Sequence, residues 1–117
     1  MILGVGIDVT SVSRFAETLE RTPALAARVL TPSELGLPAD SMAARFAAKE
    51  ALAKALGAPG DLAWHDAVVV VAPSGQPLWE LSGSVAARMT ALGATTAHLS
   101  ISHDGGIATA IVIVEGP

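Results

Sequence analysis

The chain has 117 residues, a net charge of −4, no cysteine and 51% hydrophobic residues, which suits one domain spanning residues 1–117. The cysteine count excludes disulfide scaffolds and zinc–thiolate sites, and seven basic residues are too few for the broad Lys/Arg surface of a nucleic-acid binder. No apolar run is long enough to cross a membrane and no signal sequence is recognisable, so we expect a soluble, cytoplasmic protein without nucleic-acid or membrane partners.

The first half of the chain is predicted to form one strand followed by helices. The apolar run Ile2–Val9 is typical of a buried strand, with Asp8 near its carboxyl end. Helical patterns follow, and we place the helices at residues 11–20, 23–29, 31–34 and 40–55. The last is the best defined, since Asp40 or Ser41 can cap its start and Gly57 stops it.

The second half changes to strand patterns. We predict strands at residues 67–72, 77–81, 97–103 and 107–115. The turns Pro73–Gln76 and Asp104–Gly106 join them in pairs, and a helix over residues 84–92 separates the pairs. These elements predict an α+β fold, with an antiparallel sheet in the C-terminal half and helices packed on one face.

Three of the seven basic residues lie on the longest predicted helix. Arg45, Lys49 and Lys54 fall in a ten-residue window that is otherwise apolar except for Glu50. At about 100° per residue, Arg45 and Lys49 share one side of the helix, while Glu50 and Lys54 lie on roughly the opposite side. Glu50 and Lys54 either form an ordinary i,i+4 ion pair or, with only alanines beside them, face a bulky ligand.

Two further polar residues, Asp8 and His103, end predicted strands. A carboxylate closing an apolar strand is costly to bury unless it is paired or binds metal. Asp8 is either a cap or Asx turn for the segment that follows, or a partner of Glu50 in a Mg²⁺ site that also holds a substrate phosphate, with Lys54 one turn beyond. His103 is either a hydrogen-bonded structural histidine or an active group displayed before a tight turn.

Four blocks of the sequence together resemble the small holo-acyl-carrier-protein synthases. The blocks are Gly6-Ile7-Asp8 followed by Arg14, Arg45–Ala55, Gly75-Gln76-Pro77, and Ser100–Asp104. The resemblance covers nearly the whole chain. The alanine-rich sequence is most similar to the actinobacterial branch of the family. It implies a Mg²⁺-dependent 4′-phosphopantetheinyl transferase, which moves the phosphopantetheine arm of coenzyme A onto a serine of apo acyl carrier protein. The implied product is adenosine 3′,5′-bisphosphate, and the implied role is in fatty acid or polyketide biosynthesis.

The resemblance assigns roles at the reacting phosphates by position. Asp8 and Glu50 are the implied Mg²⁺ ligands, and Lys54 neutralises the diphosphate of coenzyme A. The implied general base is Glu50, acting directly or through water, with His103 as the second choice.

The resemblance also implies a nucleotide site. Arg45 and His103 are expected near the 3′-phosphate, and Lys49 is expected to serve either ligand. The wall for the adenosine is expected from Gly75, Gln76 and Pro77.

The implied partners are the carrier protein and two further copies of the chain, because this family forms trimers with sites at the subunit interfaces. Only nine residues separate the Ser33–Leu35 block from Arg45, a shorter and less basic segment than is usual in the family. We therefore expect carrier binding to depend on Arg14, which matches the family's carrier-facing arginine, and on Arg21 and Arg28.

The competing hypothesis is a non-catalytic α+β binding or assembly module. In it, Glu50 and Lys54 are a plain ion pair and Asp8 is a cap. The two hypotheses differ in whether coenzyme A raises the thermal stability of the protein.

Overall fold

The centre of the fold is a three-stranded antiparallel sheet with the longest helix packed on one face, seen in a computed structural model that describes residues 1–117. The elements in chain order are β1 (Ile2–Ser11), α1 (Val12–Arg21), α2 (Pro23–Val29), α3 (Ala39–Ala55), a 3₁₀ turn (Trp64–Asp66), β2 (Ala67–Val71), β3 (Pro77–Leu81), α4 (Gly83–Ala91), β4 (Thr96–Asp104) and β5 (Ile107–Glu115). The predicted α+β class is confirmed. None of the helices is both long and apolar enough to span a membrane.

Strand β1 is part of the central sheet, which has the order β1-β5-β4. Gly6 of β1 lies opposite Val112 of β5, and Leu99 of β4 lies opposite the same valine on the other side. The expectation of a sheet built from the C-terminal half alone is therefore wrong, because the two ends of the chain pair with each other. The hairpin β2-β3 forms a separate two-stranded sheet.

Helix α3 lies directly on β1 because glycines leave no side chains between them. A Cβ atom added to Gly4 or Gly6 would collide with the backbone of α3, at the carbonyl groups of Ala55 and Ala51 respectively. The helix buries its alanine-rich side against the sheet, and the prediction of a long helix that ends at Ala55 is confirmed. It begins at Ala39 with Pro38 at the N-cap, so the predicted cap at Asp40 or Ser41 is wrong.

The opposite face of the sheet carries exposed aliphatic side chains. Val5, Ile7 and Val9 of β1 are 55%, 59% and 63% exposed, and Ile107 and Ile111 of β5 continue the surface. The prediction of a buried strand therefore holds for the face of β1 that packs on α3 and is wrong for its outer face. The run Ile2–Val9 looks uniformly apolar in the sequence because its small residues face α3 while its large ones face outward. An exposed apolar patch such as this outer face is typical of an interaction surface.

The helical turn predicted at residues 31–34 is a non-helical turn organised by a buried ion pair. Glu34 accepts a hydrogen bond from the Thr31 amide at 3.0 Å and faces Lys49 Nζ at 2.6 Å, with both charged side chains 1% exposed. Lys49 Nζ also donates to the carbonyl groups of Val29 and Trp64, at 2.7 and 3.3 Å. Burial lowers the pKa of Lys49, and the hydrogen bond that Lys49 donates to Glu34 opposes this shift. The pair joins the end of α2 to α3 and to the chain entering β2.

Candidate active site

Asp8, Glu50 and Lys54 form a polar cluster where β1 passes over the last turns of α3. Lys54 Nζ donates to Asp8 Oδ1 at 3.2 Å and to the Ile7 carbonyl at 2.9 Å. The plain Glu50–Lys54 ion pair is not formed, because Lys54 reaches to β1 instead. Nor does Asp8 cap the next helix, since α1 is capped by Ser11. Both assignments of the non-catalytic hypothesis are therefore absent from the structure.

The cluster holds two carboxylates close enough to affect each other. The pKa of Glu50 is raised, first by its partial burial and then by the charge of Asp8, while Lys54 lowers it. Thr10 Oγ1 donates to Asp8 Oδ2 at 2.9 Å and orients that carboxylate. Two like charges facing each other in a half-buried site are stabilised by a cation.

The two carboxylates of Asp8 and Glu50 suit an open Mg²⁺ site better than a metal site whose ligands all come from the protein. No group of three or more His, Asp or Glu side chains forms a metal site in the structure. Mg²⁺ commonly takes one or two protein carboxylates, with water and substrate phosphate oxygens in its other positions. Asp8 and Glu50 are therefore the residues of this cluster that could hold such an ion.

A pocket of about 300 Å³ opens beside Glu50. Its walls are mainly apolar and include Leu52, Leu62, Trp64 and Val85. Arg28, which was expected to face the carrier protein, is exposed and lines this pocket.

A second cleft of about 180 Å³ contains several of the residues assigned to the nucleotide. Its lining includes Ser41, Arg45, Gly75, Pro77, Ile101 and His103, whereas the exposed Gln76 does not line it. The Nε of Arg45 is buried and has no hydrogen-bond partner, although Nη1 reaches the Ser41 carbonyl at 3.4 Å. A buried guanidinium donor without an acceptor is costly, so the cleft is suited to binding an anion.

The cleft and the polar cluster lie on different sides of α3. Arg45 and Lys54 are nine residues apart, which on a regular helix is about 13 Å along the axis and half a turn around it. Within one chain, the polar cluster and the Arg45 cleft therefore lie apart, although the resemblance assigns the residues of both to coenzyme A.

The remaining predicted residues occupy other surroundings. Lys49 lines the pocket beside Glu50, but its three ammonium donors are directed to protein acceptors, so its assignment to ligand binding stays a prediction. Arg14 and Arg21 are exposed and seven residues apart on α1, which places them on one side of that helix. Two contacts of the candidate residues were not foreseen from the sequence: Thr10 Oγ1 donates to Asp8, and Asp40 Oδ2 lies 3.7 Å from His103 Nδ1. Thr10 belongs to no motif, and Asp40 resembles a helix cap.

Comparison with known proteins identifies relatives along almost the entire chain. Residues 4–111 match the family described as the 4′-phosphopantetheinyl transferase superfamily. The holo-[acyl-carrier-protein] synthase of Streptomyces griseus is 59% identical over 122 residues, covering 99% of this chain and 100% of the relative. The Helicobacter pylori synthase, solved in complex with coenzyme A, superposes with a TM-score of 0.83 at 34% identity, covering 95% of this chain and 99% of that one. The Neisseria meningitidis synthase superposes with a TM-score of 0.88 at 31% identity, covering 98% and 99%.

Proposed function

Because the chain belongs to the 4′-phosphopantetheinyl transferase superfamily, we propose that it transfers phosphopantetheine from coenzyme A to a serine of apo acyl carrier protein, with Mg²⁺ as cofactor. The serine oxygen forms a bond to the β-phosphorus of coenzyme A. The bond from that phosphorus to the bridging oxygen breaks, and adenosine 3′,5′-bisphosphate leaves with the electron pair. The serine proton passes to a base. The product supports fatty acid biosynthesis.

The polar cluster is the proposed location of the diphosphate. Asp8 and Glu50 are the residues that would hold Mg²⁺, and the bound ion would supply neutralisation of the diphosphate charge. Lys54 is held by Asp8 at the edge of the cluster, where its positive charge would also attract the phosphates. Phosphoryl transfer of this kind needs positioning and charge neutralisation more than covalent chemistry.

Glu50 is the proposed general base. Its partial burial and the neighbouring Asp8 raise its pKa, which strengthens it as a proton acceptor. His103, the second choice, lies in the other cleft and is separated from Glu50 by the body of α3. Within one chain, Glu50 is therefore the better placed of the two.

The complete site is proposed to form between two copies of the chain in a homotrimer. One copy supplies Asp8, Glu50 and Lys54, and the neighbour supplies the cleft with Arg45 and His103. Their positions on different sides of α3 support this division. The exposed aliphatic face of β1 and β5 supplies a surface that burial against another copy would stabilise.

The apolar pocket beside Glu50 is the proposed location of the pantetheine arm. The arm is an uncharged chain with amide groups and an end thiol, which suits walls of leucine, tryptophan and valine. Glu50 belongs both to the polar cluster and to this pocket, so a diphosphate at the cluster would direct its arm into the pocket.

The carrier protein is proposed to approach along α1. Arg14 and Arg21 present two positive charges on one side of that helix, close in sequence to Asp8. An acidic carrier would be attracted by these charges, and its serine would be brought to the polar cluster. Because Arg28 lines the pocket, we now propose that it contributes less to this surface.

The observation that carries the proposal is the Asp8–Lys54 contact beside Glu50, in a fold shared with synthases. The test is mass spectrometry of apo acyl carrier protein incubated with the enzyme, Mg²⁺ and coenzyme A. The expected result is a mass increase of one phosphopantetheine group, which disappears when the metal is chelated. A carrier of unchanged mass in the presence of all components would refute the transferase assignment.

A further inference from the structure

Asp40, in the first turn of α3, directs its carboxylate toward His103 at the mouth of the Arg45 cleft. Asp40 Oδ1 accepts a hydrogen bond from the Ser41 amide at 2.8 Å, which fixes the carboxylate relative to the helix. The other oxygen, Oδ2, lies 3.7 Å from His103 Nδ1. This contact joins the start of α3 to the end of β4, and both elements line the cleft.

The position of Asp40 needs an explanation because the cleft is suited to anions. A carboxylate next to His103, at the edge of the cleft, opposes anion binding through Coulomb repulsion. That cost is offset if the carboxylate organises a donor that the anion uses. A protonated imidazole has two N–H donors, so a ring with Nδ1 directed at Asp40 keeps Nε2 for a ligand.

We propose that Asp40 is a positioning residue that fixes the His103 ring so that Nε2 donates to the 3′-phosphate of coenzyme A. This inference rests on the proposed function and adds a residue to it. The half-exposed His103 ring would otherwise sample several rotamers, and Asp40 limits them before the ligand arrives. The distance of 3.7 Å is longer than a hydrogen bond, and we expect it to shorten when phosphate binds.

The test compares coenzyme A with 3′-dephospho-coenzyme A by titration calorimetry, since the two ligands differ only in the phosphate concerned. Asp40→Ala is expected to weaken coenzyme A binding roughly fivefold and to leave the affinity for the dephospho compound unchanged. Asp40→Asn keeps an acceptor oxygen and should restore most of the lost preference. In the His103→Ala background, Asp40→Ala should have no further effect, because the ring that it positions is gone.

Several results would overturn the inference. Stronger coenzyme A binding by Asp40→Ala would show that the carboxylate only repels the ligand. Equal weakening for both ligands would show a general disturbance of α3, and additive effects of the two alanine substitutions would show that they act independently. If the wild-type protein bound both ligands equally, the 3′-phosphate would not be bound in this cleft. The mass-spectrometric assay tests the transferase activity separately.

Discussion

Lys54 on α3 donates to Asp8 on β1 at 3.2 Å and does not pair with Glu50, its neighbour one turn earlier on the helix. The close approach of the two elements makes this possible, because Gly4 and Gly6 bring β1 against the helix backbone. Lys54 therefore connects α3 to β1, and Glu50 lies beside it as a second carboxylate. This relationship is the structural basis for assigning the reacting phosphates to the cluster.

Replacement of Glu50 by glutamine should abolish transfer without destabilising the fold. The raised pKa of Glu50 means that the folded protein disfavours its ionised form. Its contribution to stability is full below the ordinary glutamate pKa and is lost as the pH rises through the raised value. Without metal, Glu50→Gln should therefore melt at the same temperature as wild type or above it at neutral pH, and its advantage should shrink toward about pH 4.

Thermal unfolding across this pH range, with and without Mg²⁺ and coenzyme A, measures the effect. Glu17→Gln on the exposed side of α1 is the matched control and should behave like wild type in both assays. A Glu50→Gln protein with near-normal turnover would remove the base and metal-ligand assignments together.

Two inactive variants should complement each other if the site is shared between copies. Asp8→Asn damages the polar cluster and Arg45→Ala damages the cleft, so each homotrimer should be inactive. In a random mixture, three quarters of the trimers contain both chains and have one intact interface site out of three. Co-refolding the variants should therefore restore about a quarter of wild-type transfer. Mixing without unfolding is the control, and the absence of rescue after verified subunit exchange would place the whole site within one chain.

A charge on the exposed face of β1 should separate the subunits. Ile7 is 59% exposed in the single chain, and Ile7→Lys would place an ammonium group inside a buried contact between copies. We expect a folded monomer that has lost most of its transfer activity. Sedimentation and circular dichroism check assembly and fold, with Ala87→Lys on the exposed side of α4 as the control. A wild-type protein that sediments as an active monomer would contradict this prediction.

Lys49 should matter for stability and not for ligand binding. Replacing Lys49 by methionine leaves Glu34 buried without its partner, which typically costs about 3–5 kcal/mol of unfolding free energy. The double variant Glu34→Gln/Lys49→Met removes both charges and should recover part of this loss. Denaturant unfolding measures the stabilities. If the folded double variant bound coenzyme A far more weakly than wild type, the prediction would be wrong and Lys49 would contribute to ligand binding.

The two arginines of α1 should control the encounter with the carrier protein. Arg14→Ala/Arg21→Ala is expected to raise the KM for the carrier and to weaken its dependence on salt, because two exposed charges are lost. The affinity for coenzyme A should not change. Steady-state kinetics at two ionic strengths provide the measurement, and adding Arg28→Ala tests whether the third arginine acts through the pocket instead. Unchanged carrier kinetics at low salt would exclude α1 as the docking helix.

Local sequence patterns were sufficient for most of the elements and for the chemistry of the candidate residues. The helix around Arg45–Ala55 has a clear period and clear stop signals, and its few charges stand out among alanines. The α+β class followed from strand and turn patterns that depend on neighbouring residues only. The family resemblance depended on the order of four short blocks, which is also a property of the sequence.

The tertiary structure decided which of these residues meet. The pairing of β1 with β5 joins the two ends of the chain, so no local pattern could show that the outer face of β1 is open. Lys49 and Lys54 look alike in the sequence, yet one is buried against Glu34 and the other reaches Asp8, because contacts more than ten residues away determine the surroundings of each. The placement of Arg45 and Lys54 on different sides of α3 follows from helix geometry, but only the packed fold shows that Lys54 meets Asp8 while Arg45 lines a cleft with His103.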